Sequence, residues 1–183
     1  VVCNSIINEM LEYTRGRRSH TFLAEVNPWL NEVLDDIDNP QGIPLERNLA
    51  GDLPAVYYDG EKLRSVVVNL VQNSFHAVMA RSNDNGETEI DYSPAVAVST
   101  SEVPMGVLIV VEDNGIGMDH DTKARAFEPL FTAKARGTGL GLSIVHKVIE
   151  EHGSEVDLRT AEESGTRISF VLHSERTDSA QVK

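Results

Sequence analysis

Cysteine occurs once in the 183 residues, at Cys3, so no internal disulfide can form, and no partner thiol or imidazole stands at zinc-type spacing. Positive charge is also scarce. Sixteen Lys and Arg stand against 29 Asp and Glu, giving a formal net charge of -13. A surface of that sign disfavours sequence-blind binding to nucleic acid or to an anionic membrane, so a bound anion would need locally placed cations or backbone N–H groups. Long apolar runs are missing. The strongest, residues 107–111, is far too short to span a bilayer, and no basic-then-apolar leader opens the chain, which points to a cytosolic location. Neither an internal repeat nor a low-complexity tract is present. With 40% hydrophobic residues the composition suits one globular domain with an appendage.

What the chain does have is concentrated in residues 110–145, VVEDNGIGMDHDTKARAFEPLFTAKARGTGLGLSIV. An apolar strand breaks at Glu112-Asp113-Asn114-Gly115-Ile116-Gly117, and about twenty residues later Gly137-Thr138-Gly139-Leu140-Gly141 opens a helix. Glycine lacks the Cβ that would hold a ligand away from the backbone. A glycine-rich turn entering a helix also presents free N–H groups and the positive end of a dipole, which suit phosphate. A carboxylate at a strand end, a basic loop and a glycine cradle together describe a nucleotide site. The glycine run alone would be equally compatible with a plain turn.

The rest of the pattern is helical and strand-like in alternation. Residues 1–15 carry an apolar seam (Ile6, Ile7, Met10, Leu11, Tyr13) that begins without a cap, as the tail of a preceding helix would. Asn27-Pro28 predicts a helix start, with Trp29, Leu30, Val33, Leu34 and Ile37 inward and an end by Asn39-Pro40. Asp59 is expected to cap a long helix over residues 60–80. Its apolar face carries Leu63, Val66, Val67, Leu70, Val71, Phe75 and Val78, while Asn69, Asn73 and His76 share another face. Asn is a poor helix-interior residue, so the pair either satisfies nearby loop backbone or lines a site. Residues 81–89 read as a polar loop. Strands are expected near 43–49, 55–58, 95–99, 107–111, 156–158 and 168–172, with a helix over 139–152 stopped by Gly153. Residues 175–183 form a polar tail.

These motifs resemble the catalytic and ATP-binding domain of two-component sensor histidine kinases, within the superfamily shared with gyrase, mismatch-repair and heat-shock chaperone ATPases. Residues 63–78 (LRSVVVNLVQNSFHAV) look like its N box, 111–118 (VEDNGIGM) its G1 box, 126–134 (AFEPLFTAK) its F box and 137–145 (GTGLGLSIV) its G2 box. The form of the F box and the short lid look most like the nitrogen-regulation type. The resemblance covers roughly residues 25–173 and implies an α+β fold: a two-layer α/β sandwich of the Bergerat type, mostly antiparallel, with an N-terminal helical appendage. Residues 1–18 would end a dimerisation helix, and 19–174 would form the catalytic domain.

For chemistry, the resemblance implies binding of ATP or ADP with Mg²⁺. Asp113 would accept from the adenine amine, Asn73 would ligate Mg²⁺, and Asn69 would help position the site. Gly115 and Gly117 would let the chain pass the base, while Gly137, Thr138, Gly139, Leu140, Gly141 and Leu142 would serve the phosphates. Thr166 would lie near the adenine. Lys134 and Arg136, in a lid over about residues 118–136 anchored by Phe127, Leu130 and Phe131, would neutralise γ-phosphate charge or stand as an ordinary solvated pair. Partners implied are a dimerisation and histidine-phosphotransfer domain before Val1, a response-regulator receiver domain and a second copy of the full-length protein, with no nucleic acid.

Two departures from the family pattern matter. His76 and Ala77 stand where many members carry a basic residue and an aromatic, which makes His76 a bland neighbour. Asn69 stands where hydrolytic members of the superfamily carry Glu, and losing that general base, worth about 10²–10⁴-fold, favours transfer to an acceptor over hydrolysis. A nucleotide-binding pseudokinase and a serine kinase of the anti-sigma-factor type are the competing readings. Only His120, in His120-Asp121-Thr122-Lys123, partly imitates an acceptor-histidine motif, and it is expected in a solvated loop.

Overall fold

The computed structural model describes residues 20–39, 41–84, 92–133 and 137–175. The predicted helix over 1–15, the basic pair Lys134 and Arg136 and most of the polar tail lie outside them. A five-stranded sheet of order β2 (Leu45–Leu49), β4 (Val96–Val103), β5 (Gly106–Asp113), β7 (Thr166–His173) and β6 (Asp157–Thr160) forms one layer. Only β2 and β4 run parallel; the other neighbours are antiparallel. Three helices form the other layer: α1 (Val26–Asp35), α2 (Gly60–Asp84) and α4 (Gly141–Glu151). A fourth, α3 (His120–Arg125), is a single short stretch within the lid. The expected two-layer, largely antiparallel α+β arrangement is what the chain adopts.

The strands sort their side chains by period two. Val96 and Val98 of β4, Val107, Ile109 and Val111 of β5, and Ile168, Phe170 and Leu172 of β7 are buried in the helix-facing core. Asp113 and Thr166 lie on the same inward alternation, paired with each other at the strand ends, so a carboxylate and a hydroxyl finish an otherwise apolar face. Helix α2 buries Leu63, Val66, Val67, Leu70, Val71, Phe75 and Val78. At about 1.5–3 kcal/mol each, these seven side chains contribute on the order of 10–20 kcal/mol gross. Against that, two interior Asn residues cost at most about 0.7 kcal/mol apiece in helix propensity.

Several boundaries differ from expectation, each for a tertiary reason. Helix α1 starts at Val26, with Glu25 in the cap position and no side-chain cap. The Asn27 amide serves instead as a cross-link, donating to Ala50 O (2.7 Å) and accepting from Thr100 Oγ1 (3.0 Å), which ties α1 to β4. The helix ends at Asp35, because Asn39 closes the next turn onto both backbone groups of Ile43. Helix α2 continues through Arg81, where a polar loop was expected, to Asp84. A short strand β1 (Phe22–Ala24), unmarked by any turn signal, pairs with β3 (Val56–Tyr58) in a separate two-stranded sheet. Gly153 does stop α4: at φ +72° it completes a Schellman motif, with Ser154 N–H donating to Ile149 O and Gly153 N–H to Glu150 O.

That helix end meets the start of α2 through a buried imidazole. His152 Nδ1 lies 2.7 Å from Val148 O, so it carries the ring proton, and Nε2 accepts from Asp59 N–H at 3.0 Å. Asp59 in turn caps α2 by accepting from Lys62 N–H, and it also accepts from His20 N–H. Lys62 and Glu151 bridge the same two helix ends at 2.6 Å. Burial is the main force lowering the His152 pKa, and Lys62 adds to it, while Val148 O, Asp59 and Glu151 oppose. The folded state therefore takes up this proton at lower pH than the unfolded chain, whose ordinary value is 6.5. Stability from this node is complete above pH 6.5 and is lost as pH falls from there toward the lower folded value, by at most about 1.4 kcal/mol per pH unit. Thermal denaturation between pH 7.5 and 5.5 should show a falling Tm that is flattened in His152→Gln; identical slopes in the two proteins would exclude the node as the cause.

Candidate nucleotide site

Asn69, Asn73, Ala77 and Arg81 recur every fourth residue on α2 and form one slowly winding stripe. Asn69 and Asn73 meet the start of α4, Ala77 the 113–117 segment, and Arg81 that segment and the β6–β7 turn. Asn69 is oriented by donating from Nδ2 to Ser65 O at 2.9 Å. The first residue of α4, Gly141, comes so close that an added Cβ would lie 2.8 Å from Asn69 Oδ1 and 3.7 Å from Asn73 Nδ2. The N-terminus of α4, with no acidic residue in its first turn and no side-chain cap, is thus held beside both amides. A helix N-terminus has N–H groups without intrahelical partners and the positive end of a dipole, which make that end attractive to an anion. His76 is exposed beside the stripe.

One turn on, Gly115 sits against the helix backbone: a Cβ there would lie 2.5 Å from Ala77 C, and Ile116 N–H donates to Ala77 O at 3.2 Å. This close approach draws the end of β5 onto α2. Asp113 is 8% exposed, and its Oδ1 accepts from Gly115 N–H (3.0 Å) and Thr166 N–H (3.2 Å). Two backbone donors hold the carboxylate in a defined pose, and a carboxylate has acceptor capacity beyond two bonds. Thr166 Oγ1 lies 3.1 Å from Thr160 Oγ1, which also accepts from Met118 N–H. Gly117, at φ +66°, passes directly under Ala161 O. Asp113, Gly115, Gly117 and Thr166 therefore form one cluster, and Asn69, Asn73 and Gly141 a second, along a single helix.

The lid begins with Asp119, whose Oδ1 caps α3 by accepting from Thr122 N–H at 2.6 Å; these bonds hold its pKa below the usual carboxylate value. His120 is the first residue of α3 rather than part of a loop, with its ring exposed. Ala126 is buried, the Phe127 ring lies 5.3 Å from that of His146, and Arg125 stacks 4.1 Å over Phe131. Leu130 corrects an expectation. It is 64% exposed and does not anchor the lid by its side chain. Its backbone does so, in a left-handed conformation (φ +65°), donating to Gly139 O at 2.9 Å. Gly139, at φ +72°, is pressed on the Leu130 backbone, so here glycine is required by the lid as well as by any ligand. Gly137 is exposed, the Thr138 hydroxyl accepts weakly from Leu140 N–H, Leu140 is buried, and Leu142 packs against the core.

Residues 58–176 match the family of histidine kinase-, DNA gyrase B- and HSP90-like ATPases. The chain belongs to this family. Among its relatives are sensor histidine kinases: it is 30% identical over 172 residues to the sensor histidine kinase ZraS of Escherichia coli (strain K12), covering 92% of this chain and 34% of that one. It is 29% identical to sporulation kinase E of Bacillus subtilis (strain 168), covering 92% and 22%. The chain thus spans about a third or less of the curated relatives it matches. The fold is shared with full-length ShkA solved in complex with AMPPNP (TM-score 0.74, 21% identity, 96% of this chain and 37% of that one). It is shared also with the nucleotide-free catalytic domain of the histidine kinase ThkA (TM-score 0.68, 25% identity, 85% and 96%). The finer resemblance to the nitrogen-regulation type has no support beyond the sequence motifs.

In this family member one concavity of about 260 Å³ opens at the β6–β7 turn, lined by Glu112, Arg159 and Arg167 as well as Asp113 and Thr166. Glu112, Arg159 and Arg167 leave the sheet on the face opposite the helices, and neither Asn69, Asn73 nor the Gly139 loop takes part. The α2 side, where amides, helix N-terminus and carboxylate converge, is the better candidate. Sequence reasoning missed the supports of this site: Asn114, whose amide binds Ala95 N–H, Ser93 O and Tyr92 OH, and Arg81 at the end of the stripe. The run of four-residue spacings on α2 was the available signal. A paired substitution separates ligand from packing roles. Gly141→Ala meets only a movable amide and should leave Tm within a few degrees while displacing Asn69. Gly165→Ala, at φ +78° and pressed on Asp113 O, should lower Tm by more than ten degrees or prevent folding.

Proposed function

We propose that this chain is the ATP-binding catalytic domain of a sensor histidine kinase, holding Mg-ATP along α2 and delivering its γ-phosphoryl group to a histidine on a separate dimerisation domain, for relay to a response regulator. The observation that carries this reading is the α2 stripe, which aligns a neutral amide pair with a helix N-terminus at one end and a doubly bonded carboxylate at the other. Asp113 is suited to the adenine amine, because guanine presents a carbonyl at that position and would leave two acceptors facing each other. Asn73 supplies a neutral oxygen, which fits Mg²⁺, an ion that keeps waters and phosphate oxygens and takes few protein ligands. When bound, Mg²⁺ neutralises charge developing on the phosphates. Transfer breaks the bond from the γ-phosphorus to its bridging oxygen and forms one to an imidazole nitrogen, with ADP leaving. The absence of a carboxylate at Asn69 disfavours activating water as the competing nucleophile.

Asp113→Asn is a near-isosteric test, since its amide oxygen can keep both backbone bonds while its NH₂ opposes the adenine amine. Calorimetry should show ADP affinity weakened by about 1–3 kcal/mol, a rise in Kd of about 5- to 150-fold, with Tm nearly unchanged. Equal affinity in a folded mutant would remove Asp113 from base recognition. With γ-labelled ATP, label should appear on an added dimerisation domain of the same protein and stay off this chain. Stoichiometric acid-labile label on the chain itself, abolished by His120→Ala, would contradict the assignment.

A further inference from the structure

The last member of the α2 stripe has no part in the nucleotide contacts proposed above, yet it joins the three segments that carry them. Arg81 Nη1 donates to two backbone carbonyls, Asn114 O at 3.0 Å and Glu163 O at 2.6 Å. Its guanidinium lies over the Tyr92 ring, Cζ 4.7 Å from the centroid, and Tyr92 OH bonds the Asn114 side chain at 3.2 Å. One guanidinium nitrogen supplies N–H groups to both carbonyls while the planar group lies on the ring face, and the arginine side chain reaches one bond farther than lysine. Asn114 follows Asp113 directly. Glu163 stands in the β6–β7 turn at φ +57°, a conformation that costs a non-glycine residue about 1 kcal/mol or more and persists only when its surroundings impose it. Its N–H donates to Ile116 O at 2.7 Å, and the same turn presses Gly165 onto Asp113 O and Ala161 O onto Gly117.

We propose that Arg81 is a positioning residue for base recognition: it clamps the β6–β7 turn and the 113–117 segment to α2, and so presets the Asp113–Thr166 wall at a fixed distance from the Asn69–Asn73 end. The inference rests on the nucleotide reading above and deepens it. Without the clamp, the turn and the strand end remain hydrogen-bonded to each other and keep the Ile116 N–H bond to Ala77 O, but the turn loses the Arg81 tie to the helix and the strand end is held less firmly, so adenine recognition weakens while the phosphate end, held by Gly141 against Asn69, is untouched.

Three variants of the whole chain, Arg81→Met, Arg81→Lys and Tyr92→Leu, test this with ADP and GDP titrations and amide hydrogen exchange of the ligand-free protein. Arg81→Met should raise the ADP Kd about tenfold and the GDP Kd by less than twofold, collapsing the ratio between them. Arg81→Lys, one bond shorter and without the planar face that lies on Tyr92, should fall between, and Tyr92→Leu should resemble it. Exchange should rise at residues 113–117 and 161–165 but not at 141–151. In a folded variant, weakening of both nucleotides by the same factor would keep the ratio and overturn the inference. So would ADP binding within twofold of the unsubstituted chain with unchanged exchange. If Arg81→Met does not fold, Arg81→Lys carries the comparison alone, and unaltered ratio and exchange there overturn the clamp. Failure of the unsubstituted chain to bind ADP would sink the nucleotide reading, whereas the exchange result would still decide whether Arg81 holds these segments together.

Discussion

The site depends on backbone reaching the surface of α2 at two places, one closed to any side chain by helix backbone and one where a Cβ would push an amide aside. Gly115 lies on Ala77 and Gly141 on Asn69. A close-packed interior offers no slack at such contacts, and one added methyl group must displace something. With glycine at both positions, the end of β5 and the start of α4 are drawn onto one helix two turns apart, and everything else in the site hangs from those two approaches. Glycines that a motif-based reading assigns to ligand access are here needed first for the chain to meet itself. The two uses are compatible, because a backbone brought close to a helix also leaves its N–H groups near whatever lies in the cleft.

Around these approaches the molecule spends polar groups where its apolar core ends. Asp113 and Thr166 occupy the last inward positions of their strands, and Asp59 and His152 occupy the opposite end of the helical layer. Both pairs are buried and hydrogen-bonded, as buried polar groups must be to avoid a desolvation cost of about 1–3 kcal/mol each. They differ in what they can do. Asp113 is pinned through one oxygen by rigid backbone donors, an arrangement suited to recognition. His152 is held neutral between a carbonyl and an N–H, an arrangement that locks α2 to α4 and makes their junction sensitive to acid.

The lid stands apart from both. Its apolar contacts are few: Ala126 is buried, two rings stack on polar neighbours, and Leu130 projects into solvent from a left-handed backbone. Among the described residues it meets the glycine loop through the Leu130 N–H bond to Gly139 O and the fit of Gly139 against Leu130.

The sequence by itself determined the two layers, the long helix and the family, because these follow from local pattern: period-two burial in β4, β5 and β7, a seven-residue apolar face on α2, and glycine-rich runs at fixed order. Asn69 and Asn73 were legible for the same reason, as poor helix formers in register. Only the tertiary structure decided what Asn27, Arg81, His152 and Leu130 do. Asn27 looked like a cap, but Thr100, 73 residues away, and Ala50 claim its amide. Arg81 looked like the start of a polar loop, but two carbonyls from distant segments and an aromatic ring hold it on the helix. His152 beside Gly153 carries no local mark of burial, because its partner Asp59 is 93 residues away. Leu130 reads as an anchor by hydropathy, yet its backbone is committed to Gly139 and its side chain turns outward. Hydrophobic period and turn chemistry act over a few residues and can be read there, whereas a polar side chain with several possible partners is assigned by whichever of them the finished packing brings within about 3 Å.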